Sequence, residues 1–156
     1  MTSSATALTP LPVGTQAPNF DLPASLSDHN VTLADFAGKN LILVFYPKDS
    51  TPGCTKQLCA LQGDRSMFRE LNTEVIASNP GSVKSHTNFS EKQGYEFPIL
   101  VDAERTMATA YHALKENGTS IQRTVYIIDA EGVIRFAQQG MPSDEELAEV
   151  IRNFSA

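Results

Sequence analysis

The sequence predicts an α/β fold, a mixed β-sheet with helices on both faces. Three features lead there. Leu41–Tyr46 (LILVFY) is an unbroken apolar run of strand length. Short apolar segments after it alternate with stretches of helical spacing, and two strand-like segments flank the sequence DAEG at residues 129–132.

An apolar residue at every position of Leu41–Tyr46 is expected of a strand covered on both faces, and Pro47 ends it. From Pro52 to Leu71 the side chains of Leu58, Leu61, Phe68 and Leu71 fall on one stripe, which predicts a helix. Glu74–Ser78 reads as a second strand, and Ser82–Gln93 as a helix that Gly94 terminates. Phe97–Val101 is a third strand and Thr106–His112 a short helix. Arg123–Asp129 (RTVYIID) and Val133–Gln139 (VIRFAQQ) predict a β-hairpin. A capping box at Ser143 and Glu146 opens the last helix, with Leu147, Val150, Ile151 and Phe154 on its apolar face. This order best fits a thioredoxin-like sandwich whose hairpin runs antiparallel to Leu41–Tyr46. Residues 1–12, rich in Thr, Ser and Pro, are expected to form a flexible arm, and residues 13–156 a single domain.

Composition narrows the function. Apolar residues make up 41% and charged residues 19% of 156, as in a water-soluble globular protein. A net charge of −6 with no basic patch argues against nucleic acid and anionic membranes as partners. No apolar run is long enough to span a bilayer, and the N-terminal residues lack the basic and apolar regions of a signal peptide. A cytoplasmic location is therefore expected. Two cysteines and three scattered histidines (His29, His86, His112) are too few to suggest a metal site, and no phosphate loop or nucleophile elbow is present. Neither a metal nor a cofactor is expected. Asp144, Glu145 and Glu146 read as ordinary charge in a first helical turn.

The chemistry concentrates in FYPKDSTPGCTKQLC, residues 45–59, which holds both cysteines. Thr51 suits an N-cap whose hydroxyl accepts from a first-turn amide, and Pro52 suits position N1. Gly53 permits close backbone approach by a ligand. Cys54 then lies in the first turn, where open amides and the helix dipole favour an anion such as a thiolate. Only about 3% of a free thiol is ionised at pH 7. A helix terminus supplies about 0.3–1 kcal/mol, less than a tenfold gain, so a second positive group is needed. Arg123 is the candidate, because an antiparallel hairpin would bring it beside the end of the Leu41–Tyr46 strand. Position alone also allows a structural thiol at Cys54, a purely capping Thr51 and a surface ion pair at Arg123.

These residues resemble the peroxiredoxin family. Pro47, Thr51 and Cys54 match its Pro-x3-Thr-x2-Cys signature, and FYPKDSTPGCT is similar to the Q-type, or bacterioferritin-comigratory, members. The resemblance continues through Ser85, His86 and Phe89, FPILVD at Phe97–Asp102, and RTVYIID. It implies a thiol-dependent peroxidase of hydrogen peroxide and organic hydroperoxides. Cys54 would be the peroxidatic nucleophile, while Thr51, the amides near Gly53 and Arg123 would hold the peroxide, and Pro47 would shield the pocket. Cys59 would be the resolving cysteine, forming a disulfide with Cys54 that thioredoxin or glutaredoxin reduces. Many members carry Glu three positions after the peroxidatic cysteine, where this chain has Gln57. With both thiols in one chain, a monomer is expected.

Five residues along an α-helix separate two Cα atoms by about 8–9 Å. A disulfide needs less than about 7 Å, so the resolving step would require the first turns to unwind. A general disulfide reductase would want its cysteines two residues apart, and a redox sensor would react without turnover.

Overall fold

The computed structural model describes residues 9–155. Its centre is a five-stranded mixed sheet in the order β5-β4-β3-β6-β7. Here β3 is Asn40–Phe45, β4 Thr73–Asn79, β5 Ile99–Val101, β6 Thr124–Ile128 and β7 Ile134–Gln139. β4 pairs in parallel with β3 and β5, whereas β6 runs antiparallel to both β3 and β7. A separate two-stranded ribbon, β1 (Asp21–Leu22) and β2 (Val31–Thr32), precedes a 3-10 turn at Leu33–Phe36. The sequence reading contained neither; strands of two residues are too short to show a period.

Every residue of β3 is buried, and its side chains divide by alternation. Ile42 and Val44, continued by Tyr46, join one core with Leu58, Leu61, Phe68, Phe89 and Ile151. Leu41, Leu43 and Phe45 join a second core with Met107, Tyr111 and Tyr126. The first face carries α1 (Pro52–Gly63), α2 (Arg65–Glu70), α3 (Val83–Gln93) and α5 (Asp144–Ser155). The second carries α4 (Thr106–Ala110) and the chain N-terminal to β2.

Strand ends shift by one or two residues from those expected, β5 beginning at Ile99 and not Phe97. The helix expected over Pro52–Leu71 is two, α1 and α2, divided at Asp64. Gly63 weakens the helix there and Asp64 takes a non-helical conformation, φ −100° and ψ 9°. The helix expected to reach His112 stops at Ala110, since His112 is left-handed at φ 54°. Most of the expected N-terminal arm, residues 1–8, lies outside the described residues. Residues 9–12 are not loose: the Leu11 amide donates to the Tyr126 hydroxyl at 2.9 Å and its side chain meets the second core.

The acidic turn of α5 is also less ordinary than its sequence suggests. Ser143 Oγ accepts from the Glu146 amide at 3.1 Å, as a cap should. Asp144 is half-buried and faces Asp64 across the α1–α5 contact. Burial first, then hydrogen bonding to Asp64 and its negative charge, push the Asp144 carboxyl up to about 7. A carboxyl raised on folding stabilises fully below its unfolded value of 3.8, and that contribution is lost as pH rises through about 7. Asp144→Asn should therefore lose less Tm than wild type between pH 4 and pH 8 in a thermal melt; parallel profiles would refute this.

Candidate active site

The end of β3 launches the site. The chain leaves the sheet at Tyr46, turns through residues 47–50 with Ser50 left-handed at φ 64°, and starts α1 after Thr51. Thr51 has the extended backbone of an N-cap, and its carbonyl accepts the Thr55 amide at 2.9 Å. Its side chain does not cap as the sequence suggested: Oγ1 donates backward to the Lys48 carbonyl at 2.9 Å. That bond closes the loop and leaves the hydroxyl's lone pairs free of the helix. The amides of Gly53 and Cys54 lie in the first turn, where an α-helix supplies no acceptor.

Cys54 is only 1% exposed, and Sγ lies in the first core beside the helix start. The register of β3 with β6 explains what reaches it. Phe45 is paired with Thr124, so Arg123 falls one residue beyond the last pair, level with the start of the loop. Its carbonyl is fixed by the Gly140 amide at 2.9 Å. From there Nη2 donates to Cys54 Sγ at 3.3 Å and Nη1 donates to Gln57 Oε1 at 2.7 Å. A permanent cation, the open end of a helix and a buried sulfur thus meet at one point. Gln57, one turn after Cys54 and buried, holds the guanidinium without adding charge. A Cβ on Gly53 would sit 3.4 Å from Arg123 Nη2, so glycine leaves room beside the guanidinium.

Pro47 is exposed and forms part of a groove with Lys48, Asn79, Pro80 and Arg105. Cys59 is partly buried on α1, and both thiols are free. Both belong to one regular helix, whose geometry keeps their Cα atoms about 8–9 Å apart.

A polar cluster under the loop was not foreseen. Asp49 accepts from the Tyr46 hydroxyl and from Ser85 Oγ at 2.6 Å, and its Oδ2 lies 2.7 Å from His86 Nδ1. The other ring nitrogen of His86 is 3.2 Å from the Asn79 carbonyl. Burial alone would raise the Asp49 carboxyl, but the bonds from His86, Ser85 and Tyr46 outweigh it and hold it below the usual carboxylate range. The loop is thereby tied to the first turn of α3. The available signal was a carboxylate between a buried strand and a helix start, where an unpartnered charge would be costly. Among the described residues, no group of His, Cys, Asp and Glu could hold a metal ion, and no helix is long and apolar enough to cross a membrane.

The model of the AhpC/TSA family matches residues 13–137, most of the chain. The chain belongs to the AhpC/TSA family. A peroxiredoxin Bcp of Bacillus subtilis (strain 168) is 38% identical over 128 residues, spanning 77% of this chain and 80% of its own length. A solved peroxiredoxin Q of Xanthomonas campestris superposes with a TM-score of 0.79 at 27% identity, covering 94% of this chain and 96% of that one. A second Xanthomonas campestris structure, of a bacterioferritin comigratory protein studied for alkyl peroxide reduction, gives 0.79 at 27% identity over 94% and 97% of the two chains. The chain is thus a peroxiredoxin of the Bcp/Q kind on a thioredoxin-like fold, and a thiol peroxidase.

In this peroxiredoxin Arg123→Met should lower the second-order rate constant for peroxide by about a hundredfold or more, measured by single-turnover kinetics. Gln57→Ala should cost less, about tenfold, since it loosens the guanidinium without removing it. An Arg123→Met rate within twofold of wild type would contradict the electrostatic role.

Proposed function

We propose that Cys54 is the nucleophile that reduces hydrogen peroxide and organic hydroperoxides in this chain. Its Sγ, as thiolate, attacks the terminal peroxide oxygen; an S–O bond forms as the O–O bond breaks. The departing oxygen takes up a proton and leaves as water or an alcohol, and Cys54 becomes a sulfenic acid. The Gly53 and Cys54 amides and Arg123 are the donors that stabilise charge on the departing oxygen, while the Thr51 hydroxyl, its proton held by the Lys48 carbonyl, accepts from the peroxide O–H. The observation that carries this reading is the 3.3 Å contact from Arg123 to a sulfur set in the first turn of α1.

Cys59 then attacks the sulfenic sulfur. The S–S bond forms, the S–O bond breaks, and the hydroxyl leaves as water with one proton. Because the intact helix holds the two thiols beyond disulfide reach, this step proceeds only after the first turns of α1 unwind. Gly53, a poor helix former, supports easy fraying at that end. Thioredoxin or glutaredoxin supplies two electrons by thiol–disulfide exchange and restores both thiols. Pro47 shapes and shields the pocket, keeping bulk water from the thiolate. Both cysteines lie in one chain, which supports action as a monomer in a reducing cytoplasm.

The test is NADPH oxidation coupled through thioredoxin reductase and thioredoxin, with peroxide as the acceptor. Cys54→Ser should be inactive. Cys59→Ser should consume about one equivalent of peroxide and then fail to cycle with thioredoxin. Sustained thioredoxin-linked turnover by Cys59→Ser would rule out the intramolecular resolving step.

A further inference from the structure

The segment Gln93–Glu96, which joins α3 to β5, grips α1 along its length, and no step above uses it. Tyr95 is 4% exposed, edge-on to Phe89 at 5.2 Å and stacked on Phe97 at 5.1 Å between ring centres. Its hydroxyl lies 3.5 Å from Cys59 Sγ and donates to the Thr55 carbonyl at 3.4 Å. That carbonyl is the one that closes the helical turn between Thr55 and Cys59. Gln93 Oε1 accepts from the Cys59 thiol at 3.6 Å. Further along α1, Gln62 and Glu96 exchange two hydrogen bonds, each 2.7 Å long. The grip therefore has a firm end at Gln62 and a lighter end over the turn that carries Cys59.

We propose that the Tyr95 hydroxyl is a latch on α1, a positioning residue that sets how long an oxidised Cys54 waits before Cys59 reaches it. This rests on the resolving role proposed for Cys59. Burial, then the bond to Cys59, hold the Tyr95 hydroxyl well above the ordinary phenol range, which keeps it a neutral donor. While the latch is closed, the sulfenic acid is exposed to a second peroxide. That peroxide loses its O–O bond, adds a second oxygen to the sulfur and leaves as water or alcohol, giving a sulfinic acid. When the latch opens, the disulfide forms instead. The strength of one hydrogen-bonded contact thus sets the division between recycling and inactivation.

Reduced wild type and Tyr95→Phe are treated with increasing hydrogen peroxide, and Cys54 products are quantified by intact mass. Phenylalanine keeps the ring contacts with Phe89 and Phe97. The peroxide concentration giving half sulfinic acid should rise about three- to tenfold in Tyr95→Phe, at an unchanged rate of the first peroxide step. Hydrogen–deuterium exchange of the reduced proteins supplies a readout independent of peroxide. Amides of residues 55–59 should exchange faster in the variant, while those of β3 and β6 stay as in wild type. Gln93→Leu, which removes the other acceptor of Cys59, should shift both readouts in the same direction by a smaller factor. Disulfide formation in wild type with the variants unchanged would overturn the latch alone. Faster exchange across the whole sheet would also overturn it, as it would mark a packing role. No Cys54–Cys59 disulfide in wild type would remove the resolving role and the latch together.

Discussion

The contact from Arg123 to Cys54 Sγ, 3.3 Å long, exists only while the first turn of α1 is helical. The same turn leaves the Gly53 and Cys54 amides without helical acceptors, and the same turn keeps Cys59 too far away to bond. One short piece of backbone thus meets two opposed demands. Intact, it concentrates positive potential at a buried sulfur; opened, as proposed for the resolving step, it would give that sulfur up to a second thiol. Much of the surrounding structure adjusts the cost of passing between those states. Gly53 weakens the beginning of the helix. The Gln62–Glu96 bonds fix its far end, and the bonds among Asp49, Ser85 and His86 fix the loop that feeds it.

Charge is confined to the place where it acts. Gln57 stands where the family resemblance leads to the expectation of a carboxylate, yet its Oε1 takes the Arg123 guanidinium at 2.7 Å and orients it. A carboxylate there would orient the guanidinium equally well and cancel part of its field at the sulfur. An amide orients without cancelling. Because Cys54 is 1% exposed, little water screens the guanidinium from it, and that difference is felt more strongly than on a surface. The carboxylate in the loop, Asp49, is turned toward Tyr46, Ser85 and His86 and forms no hydrogen bond or ion pair with Arg123.

Elements whose physics is local were legible in the sequence. The fully apolar run at Leu41–Tyr46 marked a central strand, and the hairpin pattern at Arg123–Gln139 was enough to bring Arg123 beside Cys54. Gln57 stood out as a departure from its relatives, though whether it still held the arginine depended on a distance no pattern contains. What remained illegible depends on partners distant in the chain. Thr51 read as a side-chain cap because the pattern alone could not weigh the Lys48 carbonyl against the helix amides. The break at Asp64 had a local cue in Gly63 that the continuous apolar stripe masked, whereas the raised carboxyl of Asp144 comes from two helices meeting, α1 and α5, and has no local signature. Tyr95 follows a helix-ending glycine and carries no signal in the sequence; its reach to α1 becomes visible only once α3 and α1 are placed side by side.

The most direct test of the central claim is an NMR comparison of the reduced and peroxide-oxidised protein, using backbone carbon shifts of residues 52–62. The account predicts that the oxidised form contains a Cys54–Cys59 disulfide and has lost helical shifts over residues 52–59, with β3 and β6 unchanged. A disulfide-bonded form that keeps helical shifts through that stretch would contradict it.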